Sequence, residues 1–180
     1  MGRLVDDLTT LAGAQRPDFV VRQVEDLGLL TDDVFDKARL LGERSWSLVA
    51  RADVEGPVDR QRLTQAWLQL AANAVKFSEP GTPVRMGSRV TAGTLEAWVT
   101  DEGRGISAED LDRIFARFER ADGTVAGSGL GLAIVSAIAQ AHGGRVRVES
   151  EAGAGSTFTI EIPLRMSDAG DLRTIEEART

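Results

Sequence analysis

Apolar residues recur along the chain with two different periods, and the periods predict alternating helices and strands. The 3, 4, 7 spacing of a helix with one apolar face is found over 4–12, 29–41, 63–75 and 130–141. Alternating or short apolar runs bounded by turn residues predict strands over 20–27, 45–50, 83–90, 95–100, 146–149 and 156–162. Helices and strands interleaved in this way predict an α+β domain.

Capping and turn residues separate these elements. Asp59 precedes the longest helical pattern and is a predicted N-cap. Ser107 with Asp110 three residues later resembles a capping arrangement for a short helix. Ala92-Gly93 predicts a tight hairpin between the two middle strands, and 153–155 predicts the turn of the last hairpin. The chain therefore contains strong local signals for its connections.

Three parts of unequal size follow from these patterns. The first helix is too short to be stable alone, so we interpret 1–16 as the end of a longer helix from an upstream bundle. We expect residues 17–165 to form the main domain, and 166–180, which are polar and acidic, to form a loosely held tail. Within the main domain, 121–128 consist of small residues without apolar periodicity, and we expect that segment to be mobile.

Composition narrows the possible partners and metal sites. The chain of 180 residues has 21 basic and 28 acidic residues, and a net charge of -7 does not favour nucleic acid or anionic lipid as a partner. It has no cysteine and one histidine, so any metal site must be built from oxygen ligands. No apolar run approaches the roughly 20 residues of a membrane span. We therefore expect a cytoplasmic domain, and the sequence leaves open a membrane-anchored parent protein.

Three short motifs combine residue types suited to a nucleotide. Asn73 and Lys76 lie three apart on one helical face, where an amide oxygen can ligate Mg²⁺ beside an ammonium that can meet a phosphate. Asp101 ends a strand next to glycines, so its carboxylate could accept a hydrogen bond from an exocyclic amine such as that of adenine. The glycine-rich segment 127–132 opens a helix, whose N-terminus attracts anions. Each motif alone is a weak signal.

Together with Ile114 to Arg120, the motifs resemble, in order, the N, G1, F and G2 boxes of the histidine kinase catalytic domain. The resemblance covers about residues 24–164, and 1–14 resembles the last turns of a dimerisation and phosphoacceptor helix. It implies the ATP-binding sandwich shared with gyrase, mismatch-repair and chaperone ATPases. That fold is a two-layer α/β sandwich with a mixed sheet of about five strands and three helices on one face. It also implies transfer of the ATP γ-phosphoryl group to a histidine.

The same resemblance implies roles for individual residues. It assigns catalysis to Asn73, Lys76, Arg117 and Arg120, and Mg²⁺ binding to Asn73 and Gln69. Thr157 matches the hydroxyl expected beside the adenine-reading aspartate. The remaining ATP-binding residues belong to the G1, F and G2 boxes: Asp101, Gly103, Gly105, Ile106, Phe115, Phe118, Gly127, Gly129, Leu130, Gly131 and Leu132. The implied partners are a histidine-bearing dimerisation domain of the same protein or its dimer mate, and a response regulator.

Several alternatives remain open from the sequence. Gln69 replaces the asparagine usual in the family, and the segment between Phe118 and Gly127 is short, so a module that binds ATP without transferring phosphate is a second hypothesis. A hydrolase is a third, although Gln65 and Gln69 are neutral where such enzymes need an acid to activate water. Phe115 and Phe118 could equally be core residues of a short helix. The two arginines, at 117 and 120, could be ordinary solvated charges.

Overall fold

The computed structural model describes residues 2–111, 114 and 129–165, without the side chains of 2–4. Its helices are α1 (Gly2–Gly13), α2 (Leu27–Ala38), α3 (Arg60–Lys76), α4 (Ala108–Leu111) and α5 (Gly131–Ala141). Its strands are β1 (Gln23–Asp26), β2 (Ser45–Ala50), β3 (Glu55–Val58), β4 (Pro83–Thr91), β5 (Thr94–Asp101), β6 (Arg145–Glu151) and β7 (Gly155–Pro163). This is the α+β arrangement that the hydrophobic periods predict.

The main sheet is mixed, and within the described residues it has five strands in the order β2-β4-β5-β7-β6. Strand β2 runs parallel to β4, and the other neighbours are antiparallel. Side chains on β5 alternate strictly, with Leu95, Ala97, Val99 and Asp101 on the buried face. Asp101 therefore faces the helical layer at the end of the strand, where the core gives way to a site.

Helices α2, α3 and α5 cover one face of this sheet, as predicted for a two-layer sandwich. Helix α3 lies between the other two and carries Trp67, which is 1% exposed and whose Nε1 donates to the Trp98 carbonyl at 3.2 Å. Asp59 is the predicted N-cap of α3, and its Oδ1 accepts from the backbone N–H of Arg62 at 3.0 Å. The Asp59 cap thus defines where α3 begins, and Trp67 attaches the helix to β5.

Helix α1 packs on the same domain rather than projecting away from it. Leu11 is buried, and the Gln65 side-chain amide on α3 donates to the Thr10 hydroxyl at 3.2 Å. The guanidinium of Arg62 lies 4.2 Å from the centroid of the Phe19 ring, which is also buried. The segment after α1 is therefore attached to the start of α3.

Some boundaries in the first third differ from the prediction. Strand β1 is only four residues long, and its partner is β3, a strand that the sequence analysis did not predict. Pro57 and Gly56 weaken the strand pattern there. A Cβ on Gly56 would lie 2.9 Å from a Leu164 methyl group, so glycine permits close packing at this position. Helix α2 ends at Ala38 rather than at residue 41.

Local signals elsewhere are confirmed. Ala92 and Gly93 both have positive φ, of 50° and 76°, as the predicted two-residue hairpin turn requires. Ser107 caps α4, because its hydroxyl oxygen accepts from the Asp110 N–H at 3.3 Å and donates to the Asp110 carboxylate. The predicted mobile segment 121–128, the tail from 166 and Phe115 lie outside the described residues.

Candidate functional site

Two amide side chains on α3 face the beginning of α5. A Cβ placed on Gly131 would lie 3.2 Å from Gln69 Oε1 and 4.0 Å from Asn73 Oδ1. Gln69 and Asn73 are one turn apart, so both oxygens project from the same face of α3. The N–H groups of the first turn of α5, which point out of the end of the helix, lie at the same place. An oxygen-ligated cation and an anion could therefore be bound side by side here.

Asp101 lies at the opposite end of this face, against the C-terminus of α3. It is 7% exposed, and its Oδ1 accepts a hydrogen bond from the Gly103 N–H at 2.9 Å. Burial raises the pKa of the Asp101 carboxyl, and hydrogen bonds from the backbone N–H groups of Gly103 and Ser156 act in the opposite direction. A mostly buried acceptor of this kind can select a ligand group that donates a hydrogen bond.

The turn after Asp101 is attached to three neighbouring elements. Arg104 N–H donates to the Phe77 carbonyl, Gly153 N–H donates to the Arg104 carbonyl, and Ile106 N–H donates to Ser150 Oγ. Gly103 approaches α3 so closely that a Cβ there would lie 2.2 Å from the Phe77 carbonyl oxygen. This turn is consequently a fixed wall of the site.

The end of α3 brings two cations onto one aromatic ring. Lys76 Nζ lies 4.9 Å from the centroid of the Phe77 ring, and the Arg104 guanidinium carbon lies 4.7 Å from it. Phe77 is the C-cap residue of α3, and its N–H donates to the Asn73 carbonyl. The ring thus joins the predicted phosphate contact to the turn that carries Asp101. Neither Phe77 nor its contact with Arg104 was among the predicted site features.

Two hydroxyl residues of β7 lie beside the end of β5. Thr157 is the register partner of Thr100, and their hydroxyl oxygens are 2.9 Å apart on the face of the sheet that the helices leave uncovered. Ser156 is the partner of Asp101 and lies on the same face as its carboxylate. Because successive strand residues point to opposite faces, Ser156 rather than the predicted Thr157 shares the face of the Asp101 carboxylate.

The other predicted site residues fall into two groups. Gly129, with φ of 71°, precedes α5, Leu130 is buried in the core, and Leu132 is partly buried against it. Leu130 can therefore offer a ligand only its backbone. Five predicted residues lie outside the described part of the chain, namely Phe115, Arg117, Phe118, Arg120 and Gly127.

The described side chains near α5 include possible ligands for a cation. Among the described residues there is no group of three or more acidic, histidine or cysteine side chains that could hold a metal ion. The amide oxygens of Gln69 and Asn73, together with oxygens of a bound ligand, form a donor set that suits Mg²⁺. In the described part of the chain, no helix has the length and apolarity needed to cross a membrane.

Comparison with known families agrees with this arrangement. A family model described as histidine kinase-, DNA gyrase B-, and HSP90-like ATPase matches residues 58–166. The chain belongs to this family, and the resemblance inferred from the four motifs is confirmed. Membership in this family identifies ATP as the nucleotide that the domain binds.

The similar proteins are sensor kinases. SenX3 of Mycolicibacterium smegmatis, a sensor-like histidine kinase, is 36% identical over 171 residues, which are 91% of this chain and 44% of that protein. The histidine protein kinase DivJ of Caulobacter vibrioides is 41% identical over 118 residues, which are 64% of this chain and 20% of that protein. The chain thus spans less than half the length of these curated relatives.

Solved structures show the same fold. Full-length ShkA in complex with AMPPNP has a TM-score of 0.75 and 31% identity, over 93% of this chain and 36% of that one. The mycobacterial sensor histidine kinase MprB has a TM-score of 0.70 and 29% identity, over 82% of this chain and all of that one. The five-stranded sheet with helices on one face is thus the histidine kinase catalytic fold.

Proposed function

We propose that this domain supplies the γ-phosphoryl group of ATP to a histidine carried by a separate dimerisation domain. The observation that carries the proposal is where the residues of α3 lie relative to α5 and to the turn after β5. Its Gln69 and Asn73 oxygens face the N-terminus of α5, and its C-cap, one turn beyond Asn73, touches the turn that holds Asp101. One helix face thus joins a phosphate-binding end to a base-reading end.

The residues of the chain fit distinct parts of ATP. Asp101 would accept a hydrogen bond from the adenine amine. Asn73 and Gln69 would hold Mg²⁺ through their side-chain oxygens, and Lys76 with the first turn of α5 would meet the phosphates. The ion would neutralise developing phosphate charge. Gln69 is one methylene longer than the usual asparagine. Its nearness to Gly131 supports the proposed role of its side-chain oxygen in holding Mg²⁺.

In the proposed reaction, a histidine nitrogen forms a bond to the γ-phosphorus while the bond from that phosphorus to the bridging oxygen of ADP breaks. Such a transfer asks the protein chiefly for positioning and charge neutralisation. Arg117 and Arg120 are proposed to approach the γ-phosphate. The acceptor histidine belongs to a second domain, because His142, the one histidine of this chain, is buried in the core.

Residues 1–16 are proposed to be the end of the helix that leads to that second domain, and a response regulator would take the phosphoryl group from the histidine. A parent protein anchored in a membrane would suit a sensor of this class.

The test is a transfer experiment with this chain, [γ-³²P]ATP and a separate histidine-bearing four-helix bundle of a sensor kinase. Acid-labile, alkali-stable label on the bundle supports the proposal. ATP that binds without labelling the bundle indicates a binding module, and steady phosphate release indicates a hydrolase. A bundle with its acceptor histidine replaced by glutamine is the control.

A further inference from the structure

Arg104 is the one residue between the two glycines of the turn after β5. Its side chain contacts the Phe77 ring at the edge of the candidate site. Its guanidinium carbon is 4.7 Å from the Phe77 ring centroid, within the range of a cation–π contact. Its backbone is fixed from both sides, because its N–H donates to the Phe77 carbonyl at 3.1 Å and its carbonyl accepts from Gly153 N–H at 2.7 Å. The side chain of Arg104 therefore extends from a backbone that hydrogen bonds hold in place.

The same ring is the neighbour of the cation that meets phosphate. Lys76 Nζ lies 4.9 Å from the Phe77 centroid. A long lysine side chain samples many rotamers, so its ammonium needs a local contact to stay in one place. The Phe77 ring is one such contact, and Arg104 lies against the same ring. Repulsion between the two cations disfavours positions of Lys76 on the side of Arg104.

We infer that Arg104 is a positioning residue for the phosphate-binding Lys76, acting through the ring of Phe77. This inference rests on the proposed function, since it assumes that Lys76 meets the phosphates. Arg104 should therefore strengthen the binding of nucleotides with a β-phosphate or γ-phosphate, and it should have little effect on the binding of the nucleoside alone. Direct attraction between Arg104 and a phosphate would give a similar preference, so the two explanations must be separated.

A double-mutant cycle separates them. Arg104→Met keeps an apolar stem and removes the charge, and Phe77→Leu removes the ring. We expect Arg104→Met to weaken ATP by about two- to fivefold, the effect of one exposed cation–π contact, and to leave adenosine binding unchanged. In the Phe77→Leu background the same substitution should change ATP affinity by less than this. Arg104→Lys, which retains a cation, should restore most of the affinity.

A matched control removes an equal charge nearby. Arg85 lies on the uncovered face of the sheet, where it pairs with Glu102 at 2.7 Å and has no part in the Phe77 cluster. Arg85→Met should bind ATP like the parent protein. The folding of all variants is checked by their thermal unfolding midpoints.

Each outcome of the titrations bears on the inference. Equal losses for Arg104→Met with and without the ring would show a direct charge effect and overturn it. A loss that is as large for adenosine as for ATP, or no loss at all, would overturn it too. Failure of the parent protein to bind ATP would instead contradict the proposed function, so the two failures are distinguishable.

Discussion

The imidazole of His142 joins the end of α5 to the start of α3 through the backbone of Asp59. His142 Nε2 accepts a hydrogen bond from the Asp59 N–H at 3.1 Å, and Nδ1 lies 2.8 Å from the Ile138 carbonyl oxygen. These partners require Nδ1 to carry the proton and Nε2 to accept, so the ring is neutral. His142 is therefore held by hydrogen bonds of its neutral ring.

The neutrality of His142 predicts a pH dependence of stability. Burial lowers the pKa of His142 below its usual 6.5, so the unfolded chain binds the proton more tightly than the folded one. The stabilisation is complete above pH 6.5 and is lost as the pH falls through that value towards the folded pKa. We expect urea unfolding at pH 7.5 and pH 5.5 to show a lower free energy at pH 5.5.

The control for this prediction is His142→Asn, which cannot accept the Asp59 N–H in the same way. It should cost about 1–3 kcal/mol at pH 7.5, as for a buried donor left unsatisfied, and should flatten the dependence between the two pH values. A wild-type slope that survives in the variant would assign the titration to another group.

Asp101→Asn should have opposite effects on ATP binding and on stability. The amide puts a donor where adenine needs an acceptor, so ATP should bind about 1.5–3 kcal/mol more weakly, as for a charge-assisted hydrogen bond. Because the folded pKa of Asp101 is raised above 3.8, ionisation disfavours the folded protein at higher pH. The variant should therefore unfold at a higher temperature than the parent at pH 7, with an advantage that disappears at pH values below 3.8.

Calorimetric titration with ATP and thermal unfolding test this pair of effects. Glu102→Gln is the matched control, because it removes an exposed carboxylate from the adjacent position. Unchanged ATP affinity in Asp101→Asn would remove Asp101 from the site.

Asn73→Ala should make nucleotide binding nearly independent of Mg²⁺. It deletes one proposed ligand oxygen, so ATP should bind about 1–3 kcal/mol more weakly with Mg²⁺ and change little with a chelator. Gln69→Asn, which shortens the second amide to the usual family residue, should keep the Mg²⁺ dependence. If Asn73→Ala responds to Mg²⁺ as the parent does, another residue binds the ion.

Gly103→Ala should disturb the site through the backbone. A Cβ at that position would lie 2.2 Å from the Phe77 carbonyl oxygen, so the turn and the end of α3 must separate. We expect a loss of about 1–3 kcal/mol of stability, as for overpacking, together with weaker ATP binding. Chemical denaturation and calorimetry measure both, and an unchanged value of each would show that the two segments separate without cost.

The sequence was informative wherever local chemistry decides the structure. The helical period of α3, the Asp59 cap and the Ala92-Gly93 turn are local features, and each predicted element is present. The candidate site could be predicted because its residues occur in short motifs with a family order. The predicted position of Asp101 at the end of a strand is confirmed.

Long-range packing decided what the sequence did not predict. Strand β3 pairs with β1, and its Gly56 lies against Leu164, more than a hundred residues away. The choice of Ser156 over Thr157 depends on the register of β5 with β7, which no local pattern specifies. Phe77 could have been recognised as an aromatic residue directly after the predicted phosphate contact, although its contact with Arg104 needed the structure.

Hydrogen exchange of the chain with and without Mg²⁺ and ATP tests most directly whether α3, the turn after β5 and the start of α5 form one nucleotide site. We predict that ATP slows exchange at 69–77, 101–106 and 129–133, since these segments would contact the ligand. Residues 145–149 of β6, the edge strand of the sheet, should exchange as before. A cavity of about 410 Å³ at the start of α3 is lined by Phe19, Glu25 and Arg60. Slower exchange confined to the backbone amides that line this cavity would contradict the assignment.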